Sequence, residues 1–178
     1  MALYGNPQLT GVEKTFDSDE IIVSKTDLSG KITYGNRTFY RMAALDEQHC
    51  LGAPHNLIRH PKMPRAVFEL LWNTLKDGKE IFAYVLNRSK IGDEYWVFAH
   101  VTPSFDNSAN ITGYHSNRRV PNRQVIDEHI APLYKQLLEL ELSAAEPKDG
   151  LKASYQAVAD LLTKNRVGFN EFMFSLGV

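Results

Sequence analysis

Apolar and polar positions change rhythm several times along this chain, and each change predicts an element. The first twenty residues are polar and turn-prone, with Gly5-Asn6-Pro7 and Asp17 to Glu20, and read as an amino-terminal cap. Ile21 to Lys25 reads as a strand, Asp27-Leu28-Ser29-Gly30 as a tight turn, and Lys31 to Tyr34 as the returning strand of a hairpin. From Gly35 to Lys62 the pattern is short and broken. Phe39, Met42 and Leu45 predict one helical segment, while Gly52, Pro54 and Pro61 interrupt anything longer. Pro64 can open a longer helix because a first-turn residue needs no amide. Val67, Leu71 and Leu75 form its apolar stripe with Phe68 and Trp72 beside it, and Asp77-Gly78 ends it.

Three strands follow, Ile81 to Asn87, Glu94 to Pro103 and Ile111 to Arg118, separated by Gly92-Asp93 and the polar loop Asp106 to Asn110. In the middle strand Tyr95, Val97, Ala99 and Val101 alternate with Trp96, Phe98, His100 and Thr102, so both faces carry bulky groups and both must be covered. After Pro121 the period becomes helical. Ile126, Ile130, Leu133, Leu137 and Leu140 follow 4-3-4-3 spacing, the mark of a helix packed along a seam. Pro132 must kink that helix or start a new one. Pro147 to Gly150 reads as a turn, Leu151, Tyr155, Val158 and Leu162 resume the spacing, and Phe169 to Leu176 closes the chain.

A leading hairpin, short helices, one longer helix and three consecutive strands predict an α+β domain, with helices gathered on one face of an antiparallel sheet. The boundaries are residues 1–20 for the cap, 21–120 for the domain and 121–178 for a helical tail. The length of 178 residues suits one domain with an appendage. A near balance of 20 basic and 21 acidic residues argues against a nucleic-acid partner, which calls for a basic excess on one face. No apolar run approaches membrane-spanning length and the amino terminus lacks a secretory pattern, so a cytoplasmic location with no membrane insertion is expected. Cys50, the single cysteine, agrees with a reducing compartment.

Several phrases then carry a resemblance. Ser24-Lys25-Thr26-Asp27-Leu28, Ile32 to Phe39, Pro54-His55-Asn56-Leu57-Ile58-Arg59-His60-Pro61 with Met63-Pro64, Asn87-Arg88, and Gly92 to Val97 occur in order over about a hundred residues. Together they resemble the PAS domain of bacterial aerotaxis receptors and their stand-alone relatives. The resemblance implies a PAS fold, a five-stranded antiparallel sheet with short helices on one face, followed here by the tail. It also implies FAD held noncovalently between sheet and helices, with Asn36, Arg59, His60, Asn87 and Tyr95 at positions that matter for flavin binding. By residue type alone, Asn36 and Asn87 offer amides, Arg59 a fork suited to phosphate, and Trp72, Tyr95 and Phe82 aromatic surface.

Each candidate has a second reading. Arg59 and His60 suit a surface loop capping the Pro64 helix, Asn36 a turn or helix N-cap, Asn87 a solvated strand end, and Trp72 and Tyr95 ordinary core. The chain departs from the family at Lys62, where an acid is usual after Arg-His-Pro, and at Ile81, where a tryptophan is common.

Rival chemistries find less support. Cys50 lies outside the Asn-Cys-Arg pattern of photochemical flavin sensors. His49, His55, His60, His100 and His115 could supply a heme ligand, so heme stands as the alternative cofactor. No pair has the spacing of a zinc site, and no nucleophile elbow or phosphate loop marks an enzyme. The expected role is a redox or oxygen sensor in signal transduction, in aerotaxis or energy taxis, whose output partner is a chemoreceptor-type or other signalling protein. A cofactor-free interaction module is the other alternative. The tail's heptads serve either a homodimer or a helical hairpin folded back on the sheet.

Overall fold

The computed structural model describes residues 8–177; Gly5-Asn6-Pro7 of the expected cap lies outside them. Strands β1 (Ile22–Thr26) and β2 (Ile32–Gly35) form the expected hairpin. Its turn is fixed by the Asp27 carboxylate, which accepts the amides of Ser29 and Lys31 at 2.8 and 2.9 Å. Gly30 completes that turn at φ +79°, where a side chain would strain the backbone. Short helices α1 (Arg37–Ala43) and α2 (Glu47–Cys50), a single 3-10 turn (His55–Ile58) and the longer α3 (Arg65–Lys76) follow. Strands β3 (Ile81–Arg88), β4 (Glu94–Phe105) and β5 (Ile111–Arg119) complete a five-stranded sheet in the order β2-β1-β5-β4-β3 with antiparallel pairing throughout.

Residues 8–20 lie along the start of β4. The amide of Lys14 bonds to the carbonyl of Glu94 at 2.8 Å, Lys14 Nζ pairs with Asp93 at 2.9 Å, and Phe16 is buried in the main core.

Side-chain alternation gives the sheet two unlike faces. Val85, Asn87, Ala99, Val101, Tyr114, Ser116 and Arg118 look toward the short helices and α3. Phe82, Tyr84, Trp96 and Phe98 look the other way, toward the tail. The tail runs as α4 (Arg123–Val125), a π-helical turn (Ile126–Ile130), α5 (Ala131–Ser143), α6 (Pro147–Asn165) and α7 (Phe169–Ser175). The π turn answers the question posed by Pro132. Ala131 donates its amide to Ile126, five residues back, and the widened turn accommodates a ring that would otherwise collide with the preceding turn.

The 4-3-4-3 stripe folds back on the sheet: Ile126, Ile130 and Leu137 are 2% exposed or less and belong to the main core. Phe174 of α7 packs on Phe82 and Phe98 with centroids 4.7 and 5.9 Å apart. One expectation is corrected. Pro147 to Gly150 is not a turn between helices but the first turn of α6, with Pro147 at its first position, where the missing amide costs nothing. Gly150 is required there by close packing, since a Cβ at this residue would lie 2.4 Å from the Glu141 carbonyl oxygen.

The tail also covers the first half of β3, an edge strand whose second half is met by Met63, which takes the Leu86 amide at 3.2 Å, and by Arg59, which bridges to Asn87. Asn170 accepts the Phe82 amide at 2.8 Å and donates to the Glu80 carbonyl at 3.1 Å. Tyr134 donates its hydroxyl to the Tyr84 carbonyl at 2.7 Å. Glu141, nearly fully buried, ties the tail to the start of α3: Oε1 accepts the Ala66 amide and Oε2 the Arg65 Nε–H, both at 3.0 Å.

Candidate functional site

A cavity of about 330 Å³ lies between the sheet, the 3-10 turn and α3, at the lower end of the sizes usual for small-molecule sites. It exists because the inward residues of the central strands are small, Ala99 and Val101 on β4 and Val85 on β3, while α3 stands off the sheet on Phe68, Leu71, Trp72 and Leu75. Trp72 meets Tyr114 edge to face at 5.3 Å and touches the Gly30 turn, where a Cβ would lie 3.5 Å from the indole. One wall is therefore aromatic and rigid.

Three of the six sequence candidates line this space: Arg59, Trp72 and Asn87. Arg59 stacks over Phe68 at 4.2 Å and donates to the Met63 carbonyl at 3.2 Å; burial lowers its pKa, partly offset by Glu141. Asn87 is 4% exposed, and its Nδ2 has no hydrogen-bond partner. A buried amide left unpaired costs free energy, and on a cavity wall this one is free to donate to an acceptor placed there.

The other three are placed elsewhere. Asn36 is the N-cap of α1, accepting the Phe39 amide at 2.9 Å and the Val23 amide at 3.0 Å while donating to the Ile21 carbonyl at 2.7 Å. Its amide is thus spent on joining α1 to β1. His60 is fully buried beside the cavity rather than on its wall: Nδ1 accepts the Lys62 amide, and Nε2 sits 3.1 Å from Glu94 Oε2 but too poorly aligned for a hydrogen bond. Burial, with Lys62 and Arg88 nearby, lowers its pKa to about 4, so it is neutral at ordinary pH. Tyr95 is fully buried behind the lining, its hydroxyl unpartnered and its pKa pushed up by burial.

Phe82, counted with the aromatic surface, faces the tail and stacks on His100 at 4.1 Å. Lys62 is exposed, 3.9 Å from Glu94 and outside the lining. Ile81 packs with Leu71, Leu75 and Tyr114 beyond the cavity's end. Cys50 is likewise buried and off the lining, its thiol pushed up to about 11 by burial.

Sequence reasoning missed Arg118 and Ser116, which the structure groups with Ser24 and with His55, named above only as a candidate heme ligand. Arg118 is 4% exposed on β5; its Nη2 donates to Ser24 Oγ at 2.8 Å and sits 2.8 Å from His55 Nε2. Burial and then the arginine's charge lower the His55 pKa to about 3, so the ring is neutral and accepts. Burial lowers the Arg118 pKa to about 10, which still leaves it charged. Arg118 Nη1 and Ser116 Oγ are buried without partners. The signal was available in the alternation of β5, which puts Ser116 and Arg118 on the same side as Tyr114.

Comparison with known proteins agrees with this architecture. Residues 32–118 match the PAS fold family. The chain is 40% identical over 135 residues to the aerotaxis receptor of Escherichia coli (strain K12), a match covering 74% of this chain and 26% of that protein. It is 24% identical over 99 residues to the nitrogen fixation regulatory protein of Klebsiella pneumoniae, covering 56% of this chain and 20% of that one. The chain thus spans about a quarter or less of the length of these relatives. Among solved structures, the light state of the blue-light photoreceptor Aureochrome1 LOV superposes with a TM-score of 0.55 at 21% identity, over 62% of this chain and 89% of that chain. Sheet order, cavity and sequence likeness converge: the chain is a PAS-domain protein related to the aerotaxis receptor.

Proposed function

We propose that this chain is a flavin-binding PAS sensor, with FAD as its cofactor, that passes a redox or oxygen signal to a signalling partner. The observation that carries this reading is the 330 Å³ cavity, with an aromatic wall at Trp72 and Tyr114 and an unpaired buried amide donor at Asn87. These residues fit a planar ring with carbonyl acceptors, and Arg59 offers a fork for phosphate. When bound, a flavin supplies reversible electron transfer, with changes of charge and protonation on its ring. The chain's part is to shield the ring from water, to hold its acceptors at Asn87 and to keep α3 in place.

The output path runs through α3. Its cavity side carries Phe68 and Trp72, and its first turn is held by Glu141 of the tail, so a change in cavity contacts biases the tail's packing if the two redox states interact differently with that wall. By likeness to the aerotaxis receptor, the process is aerotaxis or energy taxis in the cytoplasm, and the partner a chemoreceptor-type protein. No helix of the described residues is long and apolar enough to cross a membrane.

Heme is the less favoured cofactor. His55 and His115 both line the cavity, but Nε2 of the first is 2.8 Å from Arg118, and Nε2 of the second is 3.0 Å from Asn117. Purification of the full chain tests the reading directly. The expected product is yellow, with flavin absorption and FAD released on denaturation. A colourless protein that takes up no added FAD, or a heme spectrum, overturns it.

A further inference from the structure

Among the described residues, the cavity wall holds two arginines, Arg59 and Arg118, and no aspartate or glutamate. Arg59 keeps a carbonyl partner and an aromatic face. Arg118 also has an aromatic face, Phe39 at 5.8 Å, but no ion pair among the described residues: its one bonded terminal nitrogen meets neutral groups, and the other has no hydrogen-bond partner. A charge withdrawn from water without a counter-ion destabilises the fold that buries it. Ser116, two residues earlier on the same face of β5, adds an unpaired hydroxyl.

We infer that the β5 wall of the cavity is an oxyanion subsite, in which Arg118 Nη1 and Ser116 Oγ receive a charged oxygen of the bound ligand. A guanidinium suits this task because its planar fork meets an oxyanion without losing its charge. The inference rests on the flavin reading for the ligand's identity, though not for its charge. A flavin offers two such oxygens: the phosphates of FAD carry a full charge, while the pyrimidine carbonyls of the ring are neutral acceptors when oxidised and gain negative charge on reduction. The counter-charge is thus brought by the ligand's phosphate or by its reduced ring, and Ser24 and His55 hold the guanidinium in wait for it.

The test uses the full chain stripped of flavin, as wild type, Arg118→Met and Arg118→Lys, titrated with FAD and with riboflavin, which has the ring but no phosphate. Arg118→Met is expected to lose at least tenfold in affinity for FAD, and Arg118→Lys to recover part of it. An equal loss for riboflavin assigns the subsite to the ring, and a loss confined to FAD assigns it to phosphate. Unchanged affinity for both overturns the inference.

Thermal melting of the stripped proteins gives a second reading. Arg118→Met should melt at or above the wild type, because a buried charge is gone and Ser24 Oγ, 3.1 Å from His55 Nε2, can donate there instead. A lower melting temperature makes Arg118 a structural strut and overturns the inference. Wild-type protein that binds neither compound ends the flavin reading, and the melting comparison then decides the charge argument alone.

Discussion

The two faces of the sheet are built from alternate residues of the same strands, yet they are finished in opposite ways. Toward the tail, Phe82, Trp96 and Phe98 are packed by Phe174 and Tyr134, and the backbone groups of β3 are taken up by Asn170 and Tyr134. Tyr84 and Ser154 of α6 depart from that pattern, since each has a hydroxyl buried without a partner. Toward the helices, small side chains leave a hollow, and Thr26, Asn87, Ser116 and Arg118 each keep a buried polar atom unpaired. What separates site from scaffold is the gathering of four unmet polar groups around one hollow, because there a ligand can meet them together.

The largest effect should come from the scaffold face. Leu137→Ala removes a side chain 2% exposed in the core beneath the tail and should cost roughly 2–5 kcal/mol in denaturant unfolding. A loss of under about 1 kcal/mol would mean that the tail is only loosely attached. The cavity face should respond the other way. Asn87→Leu replaces an unpaired amide by an apolar group of similar size, so apo stability should change by less than about 1 kcal/mol, while FAD affinity falls about tenfold or more. A variant that unfolds easily yet binds normally would place Asn87 with the scaffold.

His55 sharpens the comparison through pH. Its folded pKa of about 3 lies below the 6.5 of an unperturbed imidazole, so between these values the unfolded chain holds more protons than the folded one. Stability therefore rises with pH through that window and is lost as pH falls through it. His55→Gln keeps an acceptor for Arg118 and Ser24 but cannot titrate, and its stability should fall less steeply from pH 6.5 toward pH 4. A curve parallel to the wild type would remove His55 from the balance. The smallest effect belongs to Lys62→Asp, which restores the family's acid on an exposed side chain outside the cavity. Stability should move by no more than about 0.5 kcal/mol, and a tenfold change in FAD affinity would show that the loop reaches the ligand.

Much of this arrangement could be read before any coordinates. Alternation in Tyr95 to Thr102 announced a sheet covered on both sides, and the spacing from Ile126 to Leu140 announced a packed helix. What the helix packs against could not be read, because an apolar stripe fits a second copy and a sheet equally well. Pro147 and Gly150 looked like punctuation, yet one is a permitted first residue and the other a point of close helix approach, a distinction that only three dimensions supply. Asn36 suited an N-cap and a ligand contact alike by type, and the structure places it at the cap. Arg118 carries no signal by residue type, since arginine at a strand end ordinarily suits solvent. Counting by twos from Tyr114 would have put it inside.

Sealing β3 with Asn170, Tyr134 and α7 has a consequence for assembly. Another polypeptide cannot extend the sheet along the first half of β3 by strand addition while the tail is in place, and at the far margin Ile32 of β2 already spends its amide on Ala53 and its carbonyl on Gly52. Detaching the tail and opening a docking rim at the start of β3 are one and the same event.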